Sequence, residues 1–245
     1  SLAALRGWML TGNTGFKTER MAVWENIAQI RINMDRLSAK RTVPGNVEKW
    51  TAFKVVLDEF EVAQEQVEDI ANTVDETPAT KLLVDEAAPR AAIIIRSITE
   101  MINAEAKLPA TAERKALLGT MADVRGTMGL GLANIRAYLL TGDEAFRIKF
   151  NDFWARNEER FGDLSNQQSL FTEAQQNSYD ALATARAEFA SLPAKMFDIR
   201  GSNKWNMAIY LLISEAAPRA GSLMTTLAGA KGEDGIRAGG MVDNQ

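Results

Sequence analysis

The chain is written twice. Residues 3–12 read AALRGWMLTG and residues 133–142 read ANIRAYLLTG, an offset of 130. Residues 81–91 read KLLVDEAAPRA and residues 210–220 read YLLISEAAPRA, an offset of 129. Between these anchors Trp24 matches Trp154, Trp50 matches Tyr179, Glu59-Phe60 matches Glu188-Phe189, and Asp69-Ile70 matches Asp198-Ile199. Matches kept in the same order at a nearly constant offset read as an internal duplication, so each copy is expected to form the same supersecondary unit.

That unit reads as four helices. Its first helix is seen whole in copy two. Thr111 is the expected N-cap, with Glu113 in the first turn. The apolar residues Leu117, Met121, Val124, Met128, Ile135 and Leu139 then recur in heptad steps, with Gly131 in the missing position. Gly142, after Leu140-Thr141, supplies the stop. Copy one begins at Ser1, near the end of this same helix, and reads as a chain cut inside it. The second helix is expected from about Phe16 to Leu37, with a stripe of Trp24 or Val23, then Ile27, Ile30, Met34 and Leu37. The third starts after Pro44-Gly45 and carries Trp50, Phe53, Leu57, Phe60, Val67 and Val74, with Gln64 interrupting. The fourth follows Pro78 and carries Leu83, Ala87, Ile94, Ile98 and Met101, and Pro109 marks the junction between copies.

No segment alternates with period two. Helices of this length would run roughly 35–45 Å, and short connections between them favour antiparallel neighbours. The expected fold is all-α: two tandem antiparallel four-helix-bundle units from an internal duplication. Residues 1–108 form the first unit, 109–230 the second, and 231–245 an irregular Gly-rich tail.

Composition removes whole classes of chemistry. The chain has 245 residues, no Cys and no His, and a net charge of −4 with Lys and Arg spread along its length. Without Cys there are no disulfides, thiol nucleophiles or thiolate metal sites. Without His, serine–histidine triads and HExxH zinc sites are impossible, and the Glu-x-x-His element of di-iron bundles is missing. No cofactor or metal is implied, no basic arm suggests nucleic acid, and no apolar run is long enough to span a bilayer. The reading is a binding and signalling protein rather than an enzyme.

Polar residues on apolar stripes are the informative ones, because an unpaired buried charge costs several kcal/mol. Arg90 and its counterpart Arg219 sit on the fourth-helix stripes, each four residues after a Glu, at Glu86 and Glu215. They read either as i,i+4 salt bridges or as inward clamps for a carboxylate. In copy two Arg186 replaces Leu57, Arg200 replaces Ala71, Asn157 replaces Ile27, and Pro193 replaces Gln64, where a kink or break is expected. With Tyr179 nearby, this unit has polarity for a small anion; the competing reading is a rotated third helix. Arg136, like Arg6, flanks the stripe before LLTG and either snorkels to solvent, caps carbonyls or joins a ligand site. Gly119, Gly126, Gly129 and Gly131 either allow close helix contact or leave room for a ligand. Trp24 and Trp154 read as core rather than as an aromatic cage. The candidate ligand-binding residues are Arg186, Arg219, Asn157, Tyr179, Arg136 and Arg90.

The LRGWMLTGN and IRAYLLTGD segments resemble the R-x-[YW]-L-L-T-G-[DN] element of extracytoplasmic helical sensor modules in bacterial receptors, among them CHASE3-type domains and the helical bimodular domains of methyl-accepting chemotaxis proteins. EAAPRA followed by the Gly-rich GGMVDNQ is similar to what precedes the second membrane helix in some chemoreceptors. The resemblance implies a periplasmic ligand-binding region between two membrane helices of an inner-membrane receptor, a homodimer in the full-length protein, and inward arginines that recognise small organic acids. The alternative is a protein-interaction or dimerisation module of sensor-kinase type with no small ligand.

Overall fold

The heptad stripes become helices almost where the sequence places them. The computed structural model describes residues 1–40, 44–233 and 235–241. The helices are α1 (Leu2–Thr11), α2 (Gly15–Ser38), α3 (Pro44–Ile70), α4 (78–105), α5 (Ala112–Thr141), α6 (Glu144–Asn166), α7 (Glu173–Phe189), α8 (Leu192–Gly201) and α9 (207–228). Thr111 caps α5 by accepting from the backbone N–H of Arg114, and Gly142 ends it in the left-handed conformation at φ 71°. Thr172 and Gln175 form a reciprocal capping box at the start of α7. The expected break falls where Pro193 requires it: α7 stops at Phe189, and Pro193 sits in the first turn of α8. Val74 leaves the third-helix stripe, because α3 ends at Ile70 and Val74 is 72% exposed. The tail is not wholly irregular. Ala230–Lys231 (β1) and Arg237–Ala238 (β2) pair antiparallel; residues 234 and 242–245 of that expected tail lie outside the described residues.

The repeated EAAPRA segment has a local explanation. α4 and α9 each contain one π-turn, at Leu83–Ala87 and Leu212–Ala216. Pro89 and Pro218 follow it, and a proline has no N–H to donate and crowds the carbonyl four residues earlier. The widened turn absorbs that clash: Ala88 N–H donates to Leu83 O, and Ala217 N–H to Leu212 O. The arginine that follows takes the next carbonyl, with Arg90 Nη1 donating to Glu86 O at 2.9 Å and Arg219 Nη1 to Glu215 O at 3.0 Å.

The grouping of helices departs from chain order. The expected units were 1–108 and 109–230, but unit 1 comprises Ser1–Thr77 with Asn206–Gln245, and unit 2 comprises Pro78–Trp205. The helix 78–105 therefore packs with α5 to α8, and the helix 207–228 with α1 to α3. In unit 1, α9 lies on α3, α1 packs on α2, and α3 touches both. In unit 2, α4 packs against α5 and α7, and α5 against α6. Periodicity dictates which face of a helix is buried and leaves open which copy covers it.

Unit 2 has one continuous core. Leu117, Met121, Val124, Ile135, Ile94, Ile98 and Met101 are fully buried in it. Phe189, Leu182 and Met196 close it from α7 and α8. A buried polar lock joins the end of α4 to α5 and α7. Arg114 Nη1 donates to Glu105 Oε2 at 2.9 Å, Gln175 Nε2 donates to the same oxygen at 2.7 Å, and Arg114 Nη2 donates to Leu170 O.

The Glu105 side chain is only 2% exposed. Breaking a buried pair by removing one partner leaves the other charge uncompensated. Glu105→Ala is expected to destabilise unit 2 by about 3 kcal/mol, measured by denaturant melts against the wild type. A loss below about 1 kcal/mol would mean that the lock behaves as a surface pair.

Candidate functional site

Arg186 occupies the place where copy one has an apolar Leu57, and its surroundings show what that exchange requires. α6 offers Trp154, Asn157, Glu158 and Phe161 on neighbouring turns, and α7 carries Arg186 towards them. The guanidinium lies between two rings, with its carbon 4.7 Å from the Trp154 ring centre and 4.5 Å from that of Phe161. Such stacking on ring faces is worth about 0.5–2 kcal/mol depending on desolvation. Nε donates to Asn157 Oδ1 at 3.1 Å. Nη2 is buried and makes no hydrogen bond. Its ion-pair partner is Glu158 Oε1 at 4.0 Å, outside hydrogen-bond reach. Burial pushes the guanidinium pKa down from its ordinary value, and Glu158 and Tyr179 oppose that effect.

Asn157 is the joint that holds this arrangement. It is buried, and its amide donates to Val124 O at 2.9 Å and to Thr127 Oγ1 at 2.8 Å. Its carbonyl is thereby aimed at Arg186. Glu158 is held from the other side, where Trp154 Nε1 donates to its Oε1 at 3.1 Å. Tyr179 stands one ring further along α7, stacked on Phe161 with its hydroxyl 2.6 Å from Ser165 Oγ. Arg186 and Tyr179 thus converge on Phe161 in unit 2, and Asn157 holds Arg186 there.

The other three expected residues lie elsewhere. Arg90 joins Glu86 at 2.6 Å and Glu188 at 3.0 Å. Arg219 joins Glu215 at 2.7 Å and Glu59 at 3.2 Å. Their Nε and Nη1 groups are committed to these pairs on a partly wet face, the salt-bridge geometry weighed from the i,i+4 spacing. Glu59 and Glu188 are themselves repeat equivalents, so the two pairs are the same contact made once in each unit. Arg136 is exposed and borders a surface cavity of about 520 Å³ with Arg96 and Leu132. The carbonyl cap near LLTG comes instead from Arg200, whose Nε donates to Leu139 O at 2.9 Å.

Of the four glycines in α5, only Gly131 meets a neighbour, the Phe150 ring at 3.6 Å. Gly119, Gly126 and Gly129 face open space and neither tighten a helix contact nor line a site. Sequence reasoning missed Trp154 and Phe161 as walls of the site. The i, i+3, i+7 spacing of Trp154, Asn157 and Phe161 on α6 places all three on one helical face and was the available signal.

No protein-family model matches the chain, and neither a curated protein nor a solved structure matches it. Among the described residues no helix is long and apolar enough to cross a membrane, and no group of three metal-ligating side chains forms.

A half-satisfied buried cation is a poor stabiliser. Replacing it with an apolar side chain of similar length is often neutral or better. Arg186→Met is therefore expected to cost unit 2 no more than about 2 kcal/mol, mostly for the Asn157 Oδ1 it leaves unpaired. A structural arginine would instead cost several kcal/mol in the same denaturant melt.

Proposed function

We propose that this chain is the extracytoplasmic ligand-binding region of a bacterial chemoreceptor, and that unit 2 binds a small organic anion between α6 and α7. The observation that carries this reading is the buried Arg186 guanidinium, sandwiched between Trp154 and Phe161 with Nη2 unsatisfied. A planar fork with a spare N–H suits a carboxylate. Glu158 marks where that carboxylate would sit: its own group accepts from Trp154 Nε1 and stops 4.0 Å short of Nη2. The Glu158 side chain is 58% exposed, so it is free to swing into solvent as a ligand enters.

The ligand carboxylate then takes one hydrogen bond from Trp154 and one from Arg186. It replaces the long Arg186–Glu158 ion pair between α7 and α6 with a direct bridge. A helix displacement of about 1–2 Å is enough for this kind of switching, and the ligand shifts the equilibrium only by its preference for the closed packing. In this reading the two copies descend from one helical unit whose fourth helices are exchanged, as the equivalent pairs Arg90–Glu188 and Arg219–Glu59 suggest. The working receptor is then a homodimer anchored by flanking membrane helices, with the sensor in the periplasm.

Thermal melts with a panel of mono- and dicarboxylates test the proposal. A ligand at one hundred times its Kd contributes about 2.7 kcal/mol, a rise of roughly 5 °C or more for a domain of this size. The rise should vanish in Arg186→Met. It should grow in Glu158→Gln, which weakens the resident competitor. A panel with no effect on either the wild type or Glu158→Gln would remove the anion site.

A further inference from the structure

The seam between α4 and α5 in unit 2 opens into a surface groove of about 520 Å³. Ala88, Ala92 and Ile95 of α4 and Leu132 of α5 form its apolar bed, and Arg96 of α4 and Arg136 of α5 stand beside it. Ala88 and Ala92 lie one helical turn apart, so their methyls leave a shallow shelf that larger side chains would fill. Among the described residues, neither guanidinium makes a hydrogen bond or an ion pair. The sequence around them keeps both free. The positions three and four residues from Arg136 are Leu132, Ala133, Leu139 and Leu140, whose side chains cannot accept. Arg96 has one acidic neighbour at this spacing, Glu100. That carboxylate turns instead to α7, where Ser178 Oγ donates to its Oε2 at 3.2 Å. Copy one does not repeat the arrangement: Arg6 corresponds to Arg136, but Thr225 stands in the place of Arg96.

We infer that this groove binds a monocarboxylate with a compact apolar body, such as a benzoate. Two planar donor forks without partners, one from each helix, suit the two oxygens of a carboxylate. The body of the ligand lies on the Ala88–Ala92 shelf against Ile95 and Leu132. A bed of apolar side chains with a few polar groups at its edge is the usual make-up of a small-molecule site, and the volume falls in the usual range. A dianion such as phosphate fits less well. It needs donors on every side, which the apolar bed does not offer, and Glu100 at the rim repels a second negative charge. The groove lies between α4 and α5, whereas Arg186 acts between α6 and α7, so this inference does not rest on the site at Arg186.

The test follows para-fluorobenzoate by fluorine NMR as it binds the Arg186→Met chain, which separates this groove from the site at Arg186. Binding is expected to persist there. Arg96→Gln and Arg136→Gln should each weaken it by about tenfold, the loss of one charge-assisted hydrogen bond. Ala92→Phe fills the shelf and leaves both charges, and should weaken it by a similar factor. Arg125→Gln removes an exposed charge from α5 outside the groove and should change affinity by about twofold or less. Acetate, which has the head without the body, and inorganic phosphate should both bind at least about tenfold more weakly than the fluorobenzoate. Positions 92, 96, 125 and 136 are exposed, so the melting temperatures of these variants should match the parent's. No binding to the Arg186→Met chain would overturn the inference. So would equal losses in Arg125→Gln and Arg136→Gln, indifference to Ala92→Phe, or phosphate binding as tightly as the fluorobenzoate.

Discussion

Everything in unit 2 rests on the burial of the α4 stripe. Ile94, Ile98 and Met101 are fully buried against α5 and α7, alongside Leu117, Met121 and Val124. Each such side chain contributes about 1.5–3 kcal/mol relative to exposure, whereas an exposed ion pair contributes about 0–1 kcal/mol. Packing of this seam, and not the Arg90–Glu188 pair, therefore holds α4 in place. The ion pairs fix orientation at the rim, where they cost little desolvation.

The same comparison separates the arginines. Arg90 and Arg219 are partly wet, with partners at hydrogen-bond distance on two sides. Arg186 has a 13% exposed side chain, one good hydrogen bond and two aromatic faces. The first arrangement is what surface electrostatics produce at no net loss. The second leaves a donor unmet in a low-dielectric place, which stability alone does not favour. That unmet donor is why the proposed function centres on Arg186.

The π-turns show how a local clash becomes a repeated motif. Pro89 and Pro218 cannot continue a regular ladder, the backbone widens by one residue, and the following arginine reaches back to a carbonyl and to a Glu one turn earlier. EAAPRA thus reads as a structural device in both units. The glycine-rich face of α5 carries neither packing nor a site at Gly119, Gly126 and Gly129.

Helix existence, caps, the break at Pro193 and the buried face of the α4 and α5 stripes were legible in the chain, because they depend on a 3.6-residue period, a side chain at an N-cap and a missing N–H, all local. Ile30 and Leu37 were misjudged as core for the complementary reason: periodicity names the face that wants cover, and only the neighbouring helix decides whether cover is there. Which unit α4 and α9 join lay beyond sequence reading, since both carry nearly the same stripe and either set of helices satisfies it. The Arg186 site was half legible. The substitution of Arg for Leu was visible, while the Trp154 and Phe161 rings that enclose it, and the oxygen that stops 4.0 Å short, exist only once α6 and α7 are packed together.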